Sequence, residues 1–446
     1  MVKLSKNGIT TLKKQYKSVL LKCLAINAGL FMMTVPAMAE QVDTYTLNTG
    51  ETGNITNDVL IVGSTSSSGD IANIKGNLTI TDGGLQVGGD IDDWETKTNA
   101  NLVVDGANIT LAQYGDGFGA SGNVTIKNSE VKMLGKDYLV EEGGIAVGSM
   151  GNLTIDNSKF TAEAPYLLIF GQGKLAINES AISMLGEESS INADGEHDQY
   201  NSAGENLEIN NSNITLGAGS EITLTRKADY VISGDKTVIS MDYTDFEGDN
   251  EHDGGILHEG QKGNLNISGG TINLTGAVAK IERGGYDGDW IYNSAGETLV
   301  SEDDFYEVWK DHQDWTMEQV VSQILGREVT DVDHTQYHVS SGDINISGGT
   351  LNLKDGARIS TTAKNTGDIN ISGSAKIDLS ESEIRGVGGN INVKGGTIKL
   401  SSKNEEAGHQ NMSGLNPQGY VKTAIYRLTT RLQGGIFSNS KPSLEL

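Results

Sequence analysis

One twelve-residue stretch recurs along the chain and limits what the chain can fold into. It is written GDINISGGTLNL at Gly342, and related stretches begin at Gly263 and Gly389. Within it, Ile344 and Ile346 flank an asparagine, an alternation typical of a strand with one buried and one exposed face. The Ser-Gly-Gly that follows predicts a bend, because glycine adopts backbone angles that other residues resist. Each copy is therefore predicted to form a strand, a corner and a second strand.

Looser copies extend the repeat over most of the chain. The copies begin at Gly76, Ala100, Gly122, Gly151, Gly173, Glu205, Gly263, Gly342, Gly367 and Gly389. The shortest spacing, 22 residues, recurs, and most other spacings are longer, as insertions into a fixed unit would make them. A unit of this length is typical of one coil of a solenoid, which buries its apolar face by stacking on its neighbours. We therefore expect an all-β fold, a right-handed parallel β-helix (solenoid) with strands about 4.8 Å apart.

The rival all-β fold is a sandwich of hairpins, in which the Gly-Gly pairs would form hairpin turns. A sandwich requires neither a constant period nor a recurring apolar position, so the parallel β-helix is favoured. The β-helix predicts that one isoleucine from each of several copies points inward at an equivalent position: Ile80, Ile126, Ile155, Ile177, Ile209, Ile267 and Ile346.

Asparagine recurs at the second position of the copies, at Asn77, Asn123, Asn152, Asn206, Asn264 and Asn390. This pattern has two interpretations, which the sequence leaves open. The amides form a hydrogen-bonded ladder at a corner of the coil stack, or they reflect only the turn propensity of asparagine.

The first 39 residues differ from the rest of the chain. Several lysines and no acidic residue accompany an apolar run, CLAINAGLFMMTV, which ends in small residues at Ala37 and Ala39. This organisation predicts a signal peptide over residues 1–39, with cleavage between Ala39 and Glu40. The apolar run is too short to span a bilayer comfortably. We therefore expect an exported protein that passes through the periplasm to the cell surface or the medium.

The body of the chain is acidic and has no cysteine. The whole chain has a net charge of −26, and removal of the Lys-rich leader makes it more negative. Such a surface disfavours binding to nucleic acid and to anionic membranes. The single cysteine, Cys23, lies in the leader, so no disulfide, thiol nucleophile or thiolate metal ligand is expected after cleavage.

With its Lys-rich signal, cysteine-free body and glycine-punctuated coils, the chain from Val42 to Leu400 resembles the passenger region of a Gram-negative autotransporter or haemagglutinin-like adhesin. The resemblance implies a secreted adhesive or structural protein, in a family that also includes aggregation factors, toxins and proteases. It implies glycans or proteins of host or bacterial surfaces as binding partners, and an outer-membrane barrel as the export partner.

The end of the chain departs from the pattern of that family. The segment after Leu400 is too short for the strands of a barrel, which have about ten residues each. We expect residues 40–400 to form the passenger, residues 401–446 to be an irregular tail and linker remnant, and the barrel to be absent from this chain.

No catalytic, cofactor-binding or metal-binding residue is predicted, and no cofactor is expected. The sequence has no Gly-x-Ser-x-Gly elbow, phosphate loop or His-Glu-x-x-His zinc motif. The acid-rich DYTDFEGDNEHDGG at Asp242 and the DVDHTQYH that contains His334 and His338 are interpreted as solvated surface rather than metal sites. One alternative function stays open, a polysaccharide-degrading β-helix hydrolase or lyase. It would require acidic side chains clustered on one face of consecutive coils beside a groove.

The segment between the copies at Gly263 and Gly342 differs from the rest in composition and period. It holds Trp290, Trp309 and Trp315, three of the four tryptophans. Its stretches SEDDFYEVWKDHQ and TMEQVVSQILG begin with capping-box spacing and predict two short helices. We predict a small helical, aromatic insertion over about residues 284–338 of the β rod.

The insertion has two interpretations. It is a cap that covers one flank of the solenoid, or it is the element that binds a partner. Tryptophan and tyrosine often anchor interfaces, and loops on a rigid scaffold commonly carry binding sites. The candidate partner-binding residues are Trp290, Trp309, Trp315 and Tyr306.

Overall fold

A computed structural model describes the chain over residues 40–56, 59–81, 83–88, 98–113, 116–134, 144–193, 205–244, 254–260, 262–284, 290–293, 298–301, 305, 308, 312, 315–332, 342–362, 367–386, 389–401, 420–422 and 443–445. The predicted leader, including Ala39, lies outside these residues, and the first described strand begins at Glu40. Within this part of the chain, no helix is both long and apolar enough to cross a membrane.

The described part of the chain winds through twelve coils, and each coil contributes three short strands. The first four coils contain β1 (Glu40–Val42), β2 (Tyr45–Leu47), β3 (Thr52–Thr56), β4 (Val59–Val62), β5 (Ser68–Ile74), β6 (Asn77–Thr81), β7 (Gly84–Val87), β8 (Asn99–Asp105), β9 (Asn108–Leu111), β10 (Gly117–Ala120), β11 (Val124–Lys127) and β12 (Glu130–Met133). The next five coils contain β13 (Gly144–Ser149), β14 (Leu153–Asp156), β15 (Lys159–Ala162), β16 (Leu167–Gly171), β17 (Leu175–Asn178), β18 (Ala181–Met184), β19 (Ser190–Ala193), β20 (Leu207–Asn210), β21 (Asn213–Leu216), β22 (Glu221–Leu224), β23 (Tyr230–Ser233), β24 (Val238–Asp242), β25 (Gly254–His258), β26 (Leu265–Ile267) and β27 (Thr271–Thr275).

The tenth coil is interrupted by the insertion. It begins with β28 (Ala279–Arg283), and the insertion then contributes β29 (Trp290–Tyr292), β30 (Thr298–Ser301) and the helix α1 (Met317–Leu325). The coil is completed by β31 (Ile344–Ile346) and β32 (Thr350–Lys354). The remaining strands are β33 (Arg358–Thr361), β34 (Ile369–Ile371), β35 (Lys376–Ser380), β36 (Glu383–Gly386), β37 (Ile391–Val393), β38 (Thr397–Ser401), β39 (Tyr420–Lys422) and β40 (Ser443–Glu445).

Equivalent strands of successive coils pair in parallel and build three sheets. Sheet I contains the first strand of every coil, sheet II the second and sheet III the third. Neighbouring strands of a sheet therefore come from adjacent coils, as in the pairing of β11 with β14. This topology confirms the predicted all-β parallel β-helix with a small helical insertion, and it excludes the sandwich of hairpins.

Two short strands lie in the segment for which the sequence predicts an irregular tail. β39 joins sheet I antiparallel to β36, and β40 joins sheet III parallel to β38. Each has only three residues, which is too few to show the alternation by which a strand is recognised in a sequence.

The core is a column of aliphatic side chains stacked in register. In sheet II, Ile155 pairs with Ile177, and Ile177 pairs with Ile209. All three side chains are fully buried. Stacking of like on like lets a narrow coil fill its interior without voids, which stabilises a unit too small to fold alone.

Six of the seven isoleucines predicted to be equivalent belong to this column, and Ile80 does not. Ile80 is fully buried, but it lies in β6 of sheet III, where its register partner is Leu111. The copy at Gly76 begins at the corner between sheets II and III. The other copies begin at the corner between sheets I and II or, for Ala100, at the start of the sheet II strand that follows that corner. The prediction that Ile80 is equivalent to the other six isoleucines was therefore wrong, since it lies in the next strand of its coil. The sequence did not reveal this because strands of sheets II and III show the same alternation.

The glycine that opens most copies is required by the packing of one coil on the next. A Cβ atom at Gly367 would lie 2.0 Å from the carbonyl oxygen of Gly342, and one at Gly389 would lie 1.9 Å from that of Gly367. A Cβ atom so close to a carbonyl oxygen would clash with the backbone of the neighbouring coil, which cannot move away as a flexible side chain could. The corner between sheets I and II is therefore a stack of glycines in close contact.

Candidate functional site

The corner between sheets I and II carries a ladder of side-chain oxygens. Asn264 Oδ1 accepts a hydrogen bond from the backbone N–H of Asp343 at 2.9 Å, and Asp343 Oδ1 accepts one from the N–H of Asp368 at 2.8 Å. Asp368 Oδ1 in turn accepts from the N–H of Asn390 at 2.7 Å. Each side chain thus binds the backbone of the following coil.

Asn123, Asn152 and Asn206 accept in the same way from the N–H groups of the following coil. The ladder interpretation is therefore confirmed for four of the six recurring asparagines, whereas Asn77 lies at the corner between sheets II and III.

A second ladder, of asparagine side chains, lies on the outer face of sheet II, and two of its amides also donate to Asp343 and Asp368 of the first ladder. Asn345 Nδ2 donates to Asn266 Oδ1, Asn370 Nδ2 to Asn345 Oδ1, and Asn392 Nδ2 to Asn370 Oδ1, each at 3.0 Å. All four residues are half-buried. Because Asn345 and Asn370 both donate and accept, the ladder fixes the register of these coils.

The insertion leaves the rod without breaking either ladder. β26 pairs directly with β31, and β27 with β32, although the paired residues are 79 positions apart in the chain. The coils on the two sides of the insertion stack as adjacent coils do elsewhere in the rod.

Arg283 lies at the start of the insertion, where its side chain binds the backbone. Its side chain is fully buried, and its guanidinium donates hydrogen bonds to the carbonyl oxygens of His258, Gly260, Gly263 and Gly284. Burial lowers the pKa of Arg283 to about 10, so the group is charged at neutral pH. Three of these carbonyls, of Gly260, Gly263 and Gly284, lie outside the strands, and that of His258 also accepts from the N–H of Gly284. A rigid fork of donors binds all four together.

The described part of the insertion forms a hairpin and a helix with a small core of their own. β29 and β30 pair antiparallel. The core consists of buried apolar side chains from both elements and from the segment that follows the helix: Ile291, Val300, Val321, Val329 and Val332.

The predicted capping box at the second helix is confirmed. The Thr316 hydroxyl accepts from the N–H of Gln319, the Gln319 side chain accepts from the N–H of Thr316, and the helix ends at Gly326 with a left-handed φ of 63°. The first predicted helix falls mostly outside the described residues, although Phe305 and Val308 have helical conformation.

A cleft beside α1, which we call the helix cleft, is the first candidate binding surface. It has a volume of about 680 Å³ and is lined by Trp315, Glu318, Gln319, Ser322, Gln323 and residues 326–330. The half-buried Trp315 stacks on His312, with ring centroids 3.8 Å apart and ring planes 13° from parallel. The cleft thus combines an aromatic surface with carboxylate, amide and guanidinium groups.

Of the four candidate partner-binding residues, Trp315 is the one that the structure places at this cleft. The backbone of Trp290 opens β29, whereas Trp309 and Tyr306 lie outside the described residues. The sequence stretches weighed as metal sites fall largely outside them too, with His334 and His338 and with residues 245–253. Among the residues that are described, no three or more His, Cys, Asp or Glu side chains are grouped to hold a metal ion.

A second concave surface, which we call the corner groove, follows the corner between sheets II and III across consecutive coils. Asn128, Asn157, Glu179 and Asn211 occupy equivalent positions in it, and all have left-handed φ angles between 44° and 51°. Sequence reasoning missed this row. Its signal is a recurring tripeptide in which asparagine or glutamate precedes a serine, as in Asp156-Asn157-Ser158.

Two carboxylates at or beside the corner groove are held in the ionised form. A hydrogen bond from Lys159 lowers the pKa of Glu130, and one from Asn128 lowers the pKa of Asp105. A general acid for glycoside cleavage requires a raised pKa. These two carboxylates therefore do not favour the alternative of a polysaccharide-degrading enzyme.

Comparison with known proteins gives no relative from which a function can be taken. No protein-family model matches the chain, and no curated protein or solved structure matches it. The resemblance to autotransporter passengers therefore depends on the coil sequence, and what supports it structurally is the parallel β-helix that these coils form.

Proposed function

We propose that the chain is a secreted or cell-surface β-helical passenger with an adhesive or structural role, and that its insertion makes the contact with a partner. The observation that carries this proposal is the unbroken register on the two sides of the insertion. Ile267 pairs with Ile346, and both are fully buried in the common core. The rod therefore does not depend on the insertion to complete its coils, and the insertion is an added element with a surface of its own.

The chemistry of the helix cleft favours a glycan or a protein surface as the partner. The face of Trp315 that does not stack on His312 would offer a flat apolar area on which a sugar ring or an apolar side chain packs. Tryptophan is prominent among residues that dominate binding energy. Glu318, Arg327 and Glu328 lie around it and offer charged donors and acceptors. A repetitive rod presents similar faces along its length, so the insertion is the more distinctive recognition surface.

The proposal includes export. The Lys-rich leader would direct the chain to the periplasm, and cleavage after Ala39 would release a chain that begins with β1. An outer-membrane barrel would be the partner for the last step of export to the cell surface.

The direct test replaces residues 284–341 with Glu-Gly-Gln-Lys, the sequence of the corresponding corner in the preceding coil. That corner joins His258 to Gly263, the register equivalents of Arg283 and Gly342. We expect the replaced chain to retain its β-rich circular dichroism and cooperative melting, and to lose binding to bacterial or host cells.

Point variants separate the cleft from the insertion as a whole. Trp315→Ala should weaken cell binding, whereas Leu185→Ala, at a large apolar side chain 55% exposed on the rod, should leave it unchanged. Binding that survives replacement of the insertion would place the contact on the coils and contradict the proposal.

A further inference from the structure

The corner groove is a straight row of side chains at one coil spacing. β11, β14, β17 and β20 pair in register, so the residues that follow them stack one above another: Asn128, Asn157, Glu179 and Asn211. Their separation along the axis is therefore that of paired strands, about 4.8 Å. The groove has a volume of about 780 Å³. Its lining residues come from consecutive coils, the first being Gly106 and the last Lys236.

The backbone of this corner is already committed to bonds between coils. The N–H groups of Ser129, Ser158 and Ser180 donate to the serine hydroxyl of the next coil at 3.2, 3.0 and 3.1 Å. The N–H groups of Asn157 and Glu179 donate to carbonyl oxygens of the next coil at 3.0 Å. A peptide strand therefore cannot add to this corner by backbone pairing, and recognition here must use side chains.

The side chains of the groove offer both donors and acceptors, with charges of both signs. Asn157 Nδ2 donates to Asn128 Oδ1 at 2.8 Å, and Lys159 pairs with Glu130 at 3.2 Å. Further along the groove, Glu179, Asn211 and Lys236 supply a carboxylate, an amide and an ammonium group. Such a lining favours a ligand whose every unit both donates and accepts, and it lacks the excess of positive charge that a polyanion requires.

We propose that the corner groove binds a linear neutral polysaccharide that lies along the axis of the rod. The sugar units of an extended chain repeat at a distance close to one coil, so successive units meet successive members of the row. Hydroxyl groups match amides and paired ions because they donate and accept at the same centre. This site is separate from the helix cleft, and it goes beyond the role proposed for the insertion.

The left-handed backbone of the row allows a clean test. Glycine adopts positive φ without strain, so the triple variant Asn157→Gly, Glu179→Gly, Asn211→Gly removes the side chains and leaves the serine bonds of the corner intact. The matched control is Glu188→Gly, Asp355→Gly, Glu381→Gly. Those residues have left-handed φ angles of 52°, 54° and 53° and do not line the groove.

Binding is measured by calorimetry on the full chain, with linear glucose hexasaccharides in β-1,4, α-1,4 and β-1,3 linkage as probes, and with the disaccharides, hexagalacturonate and an extended acidic peptide as comparisons. We expect at least one neutral hexasaccharide to bind more tightly than its disaccharide. The groove variant should weaken that binding by at least about tenfold, the equivalent of one or two lost hydrogen bonds, and the control should not.

Failure to bind any of the neutral hexasaccharides overturns the proposal. So does a preference for the polyanion or the peptide, or an equal loss in the groove variant and the control. The chain with residues 284–341 replaced should bind the hexasaccharide as the intact chain does. Loss of cell binding and loss of glycan binding therefore report on different surfaces, and the two proposals fail separately.

Discussion

Asn345 lies 79 residues beyond Asn266 in the chain, yet its side-chain amide donates a 3.0 Å hydrogen bond to the amide oxygen of Asn266. The chain makes a long excursion between them and returns to the same register. A slip of one residue would turn Asn345 inward and Ile346 outward. The amide ladder and the isoleucine column therefore specify the register together, one from outside the coil and one from inside.

The amide ladder should contribute measurably to stability. Asn345→Val removes the bonds to Asn266 and Asn370 while keeping a good strand former at a half-buried position. We expect the free energy of unfolding to fall by about 1–2 kcal/mol, because each amide bond contributes about 1 kcal/mol net. Urea denaturation measures this change.

Thr154→Val is the control for the ladder variant. Thr154 occupies an outward position of sheet II in β14, at a level where no amide ladder runs. Its replacement should change the free energy of unfolding by no more than about 0.5 kcal/mol. An equal loss in both variants would mean that the ladder does not stabilise the rod.

Arg283 should be required at the root of the insertion. Arg283→Met removes the charged donor that the carbonyls of His258, Gly260, Gly263 and Gly284 share, and we expect a loss of at least about 3 kcal/mol in the free energy of unfolding. Arg283→Lys should recover only part of it, because an ammonium group cannot reach four acceptors as a planar fork does. Arg327→Met, at an exposed arginine of the insertion, is the control and should be nearly neutral. A neutral Arg283→Met would contradict the structural role assigned to the buried guanidinium.

His258 should make the rod sensitive to mild acid. Burial, and secondarily the charge of Arg283, hold the pKa of His258 well below its usual value. Below about pH 6.5 the unfolded chain binds a proton that the folded chain does not, so the stability contributed above that pH is lost as the pH falls. We expect the free energy of unfolding to decrease between pH 7 and pH 5.

His258→Leu isolates this effect, since Leu224 occupies the equivalent position in the preceding coil. The variant loses the hydrogen bond from His258 Nε2 to the Ala228 carbonyl oxygen, so it should be less stable at pH 7 and should lose less stability on acidification. Asp105 and Glu130, whose pKa values are lowered, contribute stability that is lost only at lower pH. Parallel pH profiles of the two proteins would contradict the assignment to His258.

The sequence predicts the strands of sheets II and III well, because one face of each strand is exposed and the alternation is visible. Sheet I is harder to recognise. Strands such as β7, β10 and β16 are buried at every residue, so GLQV, GFGA and LLIFG show no period of two. The coil that contains β23 was also missed, because Ala228 takes the place of the opening glycine and Tyr230 that of an aliphatic residue.

The candidate surfaces were predictable only in part. The helix and the aromatic residue of the helix cleft were predictable, because a capping box and a tryptophan are local features of the sequence. The row that ends in Asn211 depends on stacking of residues from four coils, a relationship that a single copy does not reveal. From the sequence AKIER alone, Arg283 would be predicted to be an exposed charged residue. Its burial follows from the loops that surround it in the folded chain.

The central claim is that the rod continues in register across the insertion, and a paired-cysteine experiment tests it most directly. In a chain with Cys23→Ser, Asn266→Cys and Asn345→Cys would be the only thiols. Directly paired residues on parallel strands have Cα atoms about 4.8 Å apart, which suits a disulfide. We expect mild oxidation of the folded monomer to link these two cysteines, as shown by mass spectrometry of the joined peptides. The pair Asn266→Cys and Asn370→Cys, two coils apart, should stay reduced. If the first pair keeps both thiols free while the second pair cross-links, the coils on the two sides of the insertion are not adjacent and the account is wrong.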